Sequence, residues 1–432
     1  MKSKNKIILI IIFAFTTFSG AIRKWLIDSI AVSNIILGLQ LLIPYLLLFF
    51  KLNTSPFEKN KRIILIYALL LVVLALNPLN KTLFHSVFGF ILHFGFWFSI
   101  FYYLRDRESF ELEKLLNFFI LISLIQIALS YVQYSLPPSH FLNKYALTKQ
   151  DIGTIASVGD AVRVTGTFSY LSGFAAFMVF YGFLLWTMFK LNYSLSILVT
   201  MIFLGLISAM MSGARACMLF YILIVCCSIL DYGNKQTLVK SLLKGAFSIL
   251  VLLLVFVVVG DQFDLVGKFQ KSYENFALRV KATQETGEQN SRIAGPLTGV
   301  VNFKGEHSLF GTGIGGTYQG ATAIWGTSLS VKEFGYYEDE GERIILEGGY
   351  LLYFTRILLY ILLISQLRIN KILLSVLSLF MILYLPLVFD IYNSVYLFLG
   401  LALLDRACMI SEKRELQQIN SLFGNKIGNT GD

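Results

Sequence analysis

The sequence predicts an all-α, polytopic membrane protein, and two properties of the chain carry that prediction. Hydrophobic residues make up 56% of the 432 residues and charged residues only 14%, whereas an average soluble domain is about 25% charged. The hydrophobic residues also form runs close to the ~20 residues that a helix needs to cross a bilayer. Because the runs are continuously apolar rather than alternating, they predict helices and not the strands of a barrel.

Twelve runs are predicted as spans, in a single integral membrane domain. They lie at 6–22, 31–50, 62–79, 84–104, 114–134, 166–190, 194–211, 215–232, 243–260, 344–366, 371–388 and 390–405. The first run has no small-residue cleavage site and continues directly into AIRKWL, so it is interpreted as a helix and not as a removed signal. PLVFDIYNSVY at 386–396 is interpreted either as a turn between two short spans or as a break in one long span.

Basic residues predict the orientation, because they concentrate on the cytoplasmic side of membrane proteins. They cluster in KSKNK at the start, at 51–62, at 105–114, at 231–244 and in SEKRELQQ near the end. With twelve spans both termini are cytoplasmic, including a tail at 406–432. The hydrophilic segment 135–165 and a large loop at 261–343, between spans 9 and 10, then fall outside. The net charge of +10 is therefore an orientation signal and does not indicate nucleic acid.

Several function classes find no support in the motifs. The chain contains no Walker loop, no dinucleotide fingerprint and no helix-borne zinc motif, so neither an ATPase nor a metalloenzyme is indicated. Its four cysteines lie in or beside predicted spans and are interpreted as small packing residues. No cofactor and no metal are therefore expected.

An acidic stretch at the entrance of the tenth run supplies candidate catalytic groups. Glu338 and Glu340 lie just before it and Glu347 inside it. Arg343, four residues before Glu347, predicts an ion pair on one helical face as the structural alternative. The functional alternative is a desolvated carboxylate that takes a proton from a substrate hydroxyl. His307, the only histidine of the large loop, is a further candidate base, or simply a solvated side chain.

Three arginines are predicted on the exterior side without an obvious carboxylate beside two of them. Arg163 precedes one span, Arg215 opens another, and Arg292 lies in the large loop. Bidentate guanidinium contacts suit phosphate or pyrophosphate, so the three are predicted to bind such an anion if the fold brings them together. Gly311 and Gly313, in SLFGTGIGGT, would let the backbone approach a ligand closely.

The order of four short motifs resembles the O-antigen polymerase and O-antigen ligase family of bacterial membrane glycosyltransferases. The motifs are RVTGTF at 163–168, SGAR at 212–215, FGTGIGG at 310–316 and EGG at 347–349, and the similarity covers about 160 to 365. The resemblance implies a GT-C-like helical fold in the bacterial cytoplasmic membrane and a metal-independent, inverting transfer from undecaprenyl-pyrophosphate-linked oligosaccharides at its outer face. It also implies a chain-length regulator and a flippase of the same pathway as partners, besides the lipid bilayer.

Under this resemblance each candidate residue acquires an expected role. Arg163, Arg215 and Arg292 would hold the pyrophosphate, and Glu338, Glu340 or His307 would orient or deprotonate the acceptor. Arg343, Glu347, Gly311 and Gly313 would support the site.

Two alternatives to a polysaccharide polymerase stay open. Ligases of the family resemble one another in a His-Asn pair about eight residues ahead of the E-x-G element, where this chain has Glu338 and Asp339, so a polymerase of O-antigen, capsule or exopolysaccharide repeats is favoured over a ligase. A transporter or flippase for the same lipid-linked sugars would also have many spans and arginines. Transporters place polar groups near the bilayer midplane and have related halves, whereas the ionisable residues here concentrate towards one face.

Overall fold

The fold consists almost entirely of helices. The computed structural model describes residues 2–52, 58–77, 79, 82–146, 157–158, 161–231, 267, 270–271, 273–275, 277–278, 281, 288–303, 307–335, 337 and 339–427. The helices with both ends in these residues are α1 (Lys2–Ala21), α2 (Ile30–Leu42), α3 (Glu58–Ala75), α4 (Leu83–Arg105), α5 (Leu116–Ser135), α6 (Leu171–Lys190), α7 (Leu195–Met211), α8 (Arg215–Leu230), α9 (Glu288–Val301), α10 (Gln319–Trp325), α11 (Leu329–Phe334), α12 (Glu340–Leu362), α13 (Lys371–Tyr384) and α14 (Ile391–Ile427). An antiparallel ladder of two-residue strands joins β1 (Ser157–Val158) to β2 (Ala161–Val162).

Seven helical segments within the described residues are long and apolar enough to cross a membrane. They are Lys4–Leu26, Ile30–Phe49, Leu83–Arg105, Arg107–Ser135, Leu171–Lys190, Glu340–Gln366 and Ile391–Gln417. The shorter apolar helices are α7, α8 and α13. Every predicted run except 243–260, which lies outside the described residues, overlaps a helix. The chain is therefore a helical membrane protein, and the count of twelve spans stays a prediction.

Helices α6 and α14 form the centre of the bundle. Both are apolar around most of their circumference, which is the pattern of a helix surrounded by other helices. Gly400 of α14 lies so close to α6 that a Cβ at this position would be 2.8 Å from the Phe183 ring. Helix α1 joins them where the Thr17 and Tyr396 hydroxyls are hydrogen-bonded at 2.8 Å. This packing leaves apolar side chains of the peripheral helices exposed, for example Ile66 of α3 and Phe354 of α12.

The segments predicted to be cytoplasmic meet at one end of the bundle. The contacts there are Asn5 with Lys51 (2.8 Å), Phe50 with Phe110 (ring centroids 4.3 Å apart), Arg107 with Asp405 (3.3 Å) and Arg406 with Glu113 (2.9 Å). The loops 163–169 and 311–318 and the residues around Asp390 lie at the opposite ends of the helices that carry these contacts. The bundle therefore has two chemically distinct ends, and the glycine-rich motifs belong to the end away from the N-terminus.

Helix α12 is broken at Gly349, where φ is 69° and ψ is −177°. Glu340 and Arg356 lie on either side of the break, and their charged groups are only 2.6 Å apart. In an unbroken helix, sixteen residues would separate the two Cα atoms by about 24 Å, which is too far for the side chains to meet. The two halves of α12 are therefore folded back towards each other, and the segment does not cross the membrane as one straight rod.

Candidate functional site

The glycine-rich loop after His307 satisfies the backbone groups that the break in α12 leaves unpaired. Thr312 N donates to Leu346 O at 2.8 Å and Gly313 N donates to Glu347 O at 2.9 Å, which occupies carbonyls at the end of the first half. Tyr350 N, at the start of the second half, donates to Ser308 O at 2.8 Å. Since helix ends need such partners when they are buried, the loop and the broken helix form one unit.

Glu347 is the centre of this unit. Its carboxylate is fully buried and accepts hydrogen bonds from Gly315 N (2.9 Å), Thr317 N (2.8 Å) and Thr317 Oγ1 (2.6 Å). A fourth contact is to His93 Nε2, 2.9 Å away on α4, and the side chain of His93 is equally buried. Arg343 Nη2 donates to Thr317 O at 2.7 Å, so Arg343 reaches the cluster through Thr317. The predicted pairing of Arg343 with Glu347 is therefore replaced by a pair between His93 and Glu347.

Glycine allows the loop to lie directly against α4. Gly315 has φ +88°, a left-handed conformation that favours glycine, and its backbone lies against His85 and Gly89 of α4. A Cβ on Gly89 would in turn be 2.5 Å from Gly315 N. The contact between helix and loop is thus backbone to backbone, and it sets the distance that allows Glu347 to reach His93.

Two cationic side chains are buried at the end of the first helical segment. Arg23 is 5% exposed, and its guanidinium donates to Ser33 Oγ (3.0 Å) and Ser169 Oγ (2.9 Å). Lys24 is 7% exposed and donates to Thr165 Oγ1 (3.0 Å) and to the carbonyl of residue 166 (2.8 Å). Within the described residues, therefore, the hydrogen bonds of both cations go to hydroxyl and carbonyl oxygens.

Tyr318 connects Arg23 to the glycine-rich loop and to α12. Burial raises the pKa of its hydroxyl, while the positive charges of Arg23 and Arg343 act to lower that pKa and Asp390 acts to raise it. These charges therefore all lie within electrostatic range of one phenol. The Arg343 guanidinium also lies 3.7 Å from the centroid of the Phe389 ring, a distance at which a cation–π attraction operates.

Asp390, just ahead of α14, is buried beside this group of charges. Its Oδ1 accepts from Tyr392 N at 2.9 Å, whereas its Oδ2 has no hydrogen-bond partner within the described residues. Burial raises the pKa of Asp390 to about 6, and hydrogen bonds from Tyr392, Ser172 and Asn393 act to lower it. PLVFDIYNSVY thus holds a buried acid at a helix start, and a tight turn precedes α14 rather than a break inside it.

The three predicted anion-binding arginines occupy two regions. Arg163 Nε donates to Ser212 O at 3.4 Å, which places it against the turn that leads to Arg215. Both arginines are partly exposed. Arg292 lies in α9, and its side chain is outside the described part of the structure. Ser169, which contacts Arg23, belongs to the same loop as Arg163, so this loop links the buried and the surface arginines.

The candidate acids and bases Glu340 and His307 lie in different environments. Glu340 is buried, pairs with Arg356 at 2.6 Å and accepts from Val388 N at 2.9 Å. His307 is partly exposed; its carbonyl accepts from Gly311 N at 2.7 Å and its ring is edge-on to Phe334. Glu338 lies outside the described residues. The structure thus brings Arg343, Glu347, Gly311 and Gly313 together with the loop, and holds Glu340 in an ion pair of its own.

Sequence reasoning missed the residues at the centre of the site: His93, Arg23, Lys24 and Asp390. A signal existed for each, because an ionisable residue in or beside an apolar run is expensive to bury and is usually functional. Comparison with models of protein families, with curated proteins and with solved structures finds no match to this chain. The buried ionisable groups around the loop include the cations Arg23, Lys24 and Arg343, the pair of His93 and Glu347, and the acid Asp390.

Proposed function

We propose that the protein is a polysaccharide polymerase that joins undecaprenyl-pyrophosphate-linked oligosaccharide repeats at the outer face of the bacterial cytoplasmic membrane. The observation that carries the proposal is Arg23, a guanidinium that is 5% exposed and hydrogen-bonded to two serine hydroxyls. Arginine stays charged in proteins, and a charge in a membrane interior is costly unless it is compensated. A pyrophosphate bound at Arg23 would supply that compensation.

The chemistry needs mainly positioning and charge stabilisation, because a pyrophosphate is already a good leaving group. In this proposal Arg23 and Arg343, whose charges both act on Tyr318, bind the pyrophosphate, and Arg163 and Arg215 attract it from the partly exposed turn. No metal is required. The GT-C-like fold, the twelve spans and the cytoplasmic termini are parts of the same proposal, as are the flippase that delivers the repeats and the chain-length regulator.

A second candidate function is a transporter or flippase for the same lipid-linked sugars. Two observations favour it: the break in α12 at Gly349, and the pairing of Glu347 with His93, which lies in the middle third of α4. Discontinuous helices and deep ionisable groups are typical of transporters. Transfer of glycan to lipid A core or to protein, as by a ligase, differs from polymerisation only in the acceptor.

Reconstitution separates the three functions. The purified protein is placed in vesicles with undecaprenyl-pyrophosphate-linked repeats of the host, and the glycans are resolved as a ladder by electrophoresis. A polymerase yields longer pyrophosphate-linked chains, and a ligase yields product only when lipid A core or an acceptor protein is added. A transporter moves the substrate to the other leaflet without lengthening it, which would overturn the proposal.

Variants of buried and exposed arginines test the proposed role of the buried charge. Arg23→Met removes the charge and keeps much of the side-chain volume, and it is expected to lower the rate of chain lengthening by at least about tenfold, since one charge-assisted hydrogen bond contributes roughly 1.5–3 kcal/mol. Arg368→Met is the matched control, because Arg368 is half exposed and pairs with the exposed Glu412. Equal rates for the two variants would contradict a pyrophosphate site at Arg23.

A further inference from the structure

His93 has one satisfied and one unsatisfied ring nitrogen, both buried. Nε2 lies 2.9 Å from Glu347 Oε2, while Nδ1 has no hydrogen-bond partner among the described residues. A buried polar atom without a partner destabilises the folded protein, so it calls for a functional explanation. The residue is not part of any motif in the sequence.

His85, two turns earlier on α4, is a purely structural histidine by comparison. It is as buried as His93, but both of its nitrogens have neutral partners: Nδ1 is 2.8 Å from Thr82 Oγ1 and Nε2 is 3.2 Å from Gly326 O. Helix α4 therefore carries His85, whose two ring nitrogens both contact loop residues, and His93, of which only Nε2 contacts a carboxylate.

We propose that His93 accepts the proton of the acceptor sugar hydroxyl, with Glu347 as the residue that positions its ring. This inference rests on the proposed polymerase function and adds the identity of its base. Glu347 is suited to the positioning role because Gly315 N, Thr317 N and Thr317 Oγ1 hold both of its oxygens. A carboxylate fixed in this way keeps the proton of a neutral imidazole on the nitrogen it faces and leaves the other nitrogen free to act as a base.

His93 lies close to residues of the proposed pyrophosphate site. The Phe389 ring stands edge-on to the imidazole, with centroids 5.8 Å apart, and carries the Arg343 guanidinium 3.7 Å from its centroid. Phe389 is only partly buried. The Phe389 ring thus contacts both the His93 imidazole and the Arg343 guanidinium.

In the proposed step the acceptor oxygen forms a bond to the anomeric carbon of the growing chain as its proton passes to His93 Nδ1. The bond between that carbon and the pyrophosphate oxygen breaks, and its electron pair leaves with undecaprenyl pyrophosphate. The proton returns to water after the product leaves, so no oxidant, metal or further reactant takes part. General-base catalysis of this kind typically contributes 10²–10⁴-fold in rate.

The test uses a pair of equivalent substitutions in the full-length protein in vesicles. His93→Gln keeps an amide that donates to Glu347 but has no base, and His85→Gln keeps one that donates to Gly326 O. We expect the turnover rate to fall by about 10²-fold or more in His93→Gln, with little change in the substrate concentration at half-maximal rate, and to change less than threefold in His85→Gln. A loss below tenfold in His93→Gln would overturn the assignment.

The pH profile of the wild-type protein provides a test that does not depend on a variant folding. Among the described residues, the charged and titratable groups near His93 include Glu347 on α12, Arg343 behind Phe389, and Tyr67 of α3, whose hydroxyl donates to the His93 carbonyl. If His93 is the base, the single-turnover rate rises with pH through one ionisation and then levels. Glu347→Gln removes the negative charge beside the imidazole and should displace that ionisation; an unchanged profile would show that the ionising group is not His93.

The outcomes separate this inference from the function on which it rests. A wild-type rate that is constant from about pH 5 to pH 9 would exclude a titrating base, although the protein would still be a polymerase. If wild-type protein makes no longer chains under any condition, the proposed function itself fails. Only lengthening by wild type and by His85→Gln, with loss in His93→Gln, supports both.

Discussion

Removing Arg356 should destabilise the protein far more than an ordinary surface substitution does. Its guanidinium is 2.6 Å from Glu340, and the exposed fractions of the two side chains are 7% and 5%. Breaking a buried ion pair by removing one partner costs about 3–5 kcal/mol, because the other charge is left buried without compensation. In Arg356→Met the orphaned charge is Glu340. In the double variant with Glu340→Gln neither charge remains, and the amide can still accept from Val388 N.

The double variant is therefore expected to be more stable than Arg356→Met alone, with a coupling energy between the two sites of roughly 0.5–3 kcal/mol. The assay is unfolding of the detergent-solubilised protein, with stability compared across the four members of the cycle. Lys413 and Glu108 form the control pair: they are 3.2 Å apart but mostly exposed, so their coupling should be about 0.2–1 kcal/mol. Additive effects of the Arg356 and Glu340 substitutions would refute the folded-back geometry of α12, since an unbroken helix keeps the two residues apart.

Further predictions concern the loop contact and the lone acid. Gly89→Ala should destabilise the folded protein by about 1–3 kcal/mol, because the new Cβ overpacks against Gly315. Gly38→Ala is the control: it is at a helical position with nothing within 4 Å of the new Cβ, and it should stabilise the folded protein by about 0.5–1 kcal/mol. Similar melting temperatures for the two variants would contradict this packing. Burial raises the pKa of Asp390 in the folded protein from 3.8 to about 6. Below about pH 4 the acid is protonated in both the folded and the unfolded state, and its full contribution to stability, about 3 kcal/mol, is present. That contribution is lost as the pH rises through 6, because the buried carboxylate must then ionise. Asp390→Asn should flatten the dependence of the melting temperature between pH 4 and 6, and an unchanged slope would show that Asp390 does not titrate there.

The helices could be predicted from sequence because each depends on a property of its own residues. A run such as LSGFAAFMVFYGFLLWTMFK is apolar on all sides, and burial in lipid or protein is its only stable environment. The fold-back of α12 could not be predicted in this way. EGG at 347–349 is compatible with a continuous helix, and the break depends on hydrogen bonds that Ser308, Thr312 and Gly313 supply from more than thirty residues away.

The site was predicted only where its residues lie in recognisable motifs. The glycine-rich loop and Glu347 were predicted to belong to the site, and they do lie together. His93 was not, because its role depends on Glu347, 254 positions later in the chain. Arg23 could not be predicted for the same reason, because its hydrogen-bond partner Ser169 lies 146 positions later in the chain. A periodic pattern reports neighbours along the helix, whereas these contacts join residues that only the tertiary fold brings together.

The break at Gly349 is also expected to change the bilayer beside the protein. The straight part that follows it, Tyr350–Leu362, rises only about 20 Å, against the ~30 Å thickness of the hydrocarbon core. Its outer face presents Phe354, Leu358 and Ile361, all suited to contact with acyl chains. Lipid accommodates a short apolar surface by thinning, at a cost of fractions of a kcal/mol per Å. The headgroup layer would then lie closer to the break, so that the lipid-linked substrate of the proposed function could approach from the side without its phosphates crossing the full thickness of the hydrocarbon core.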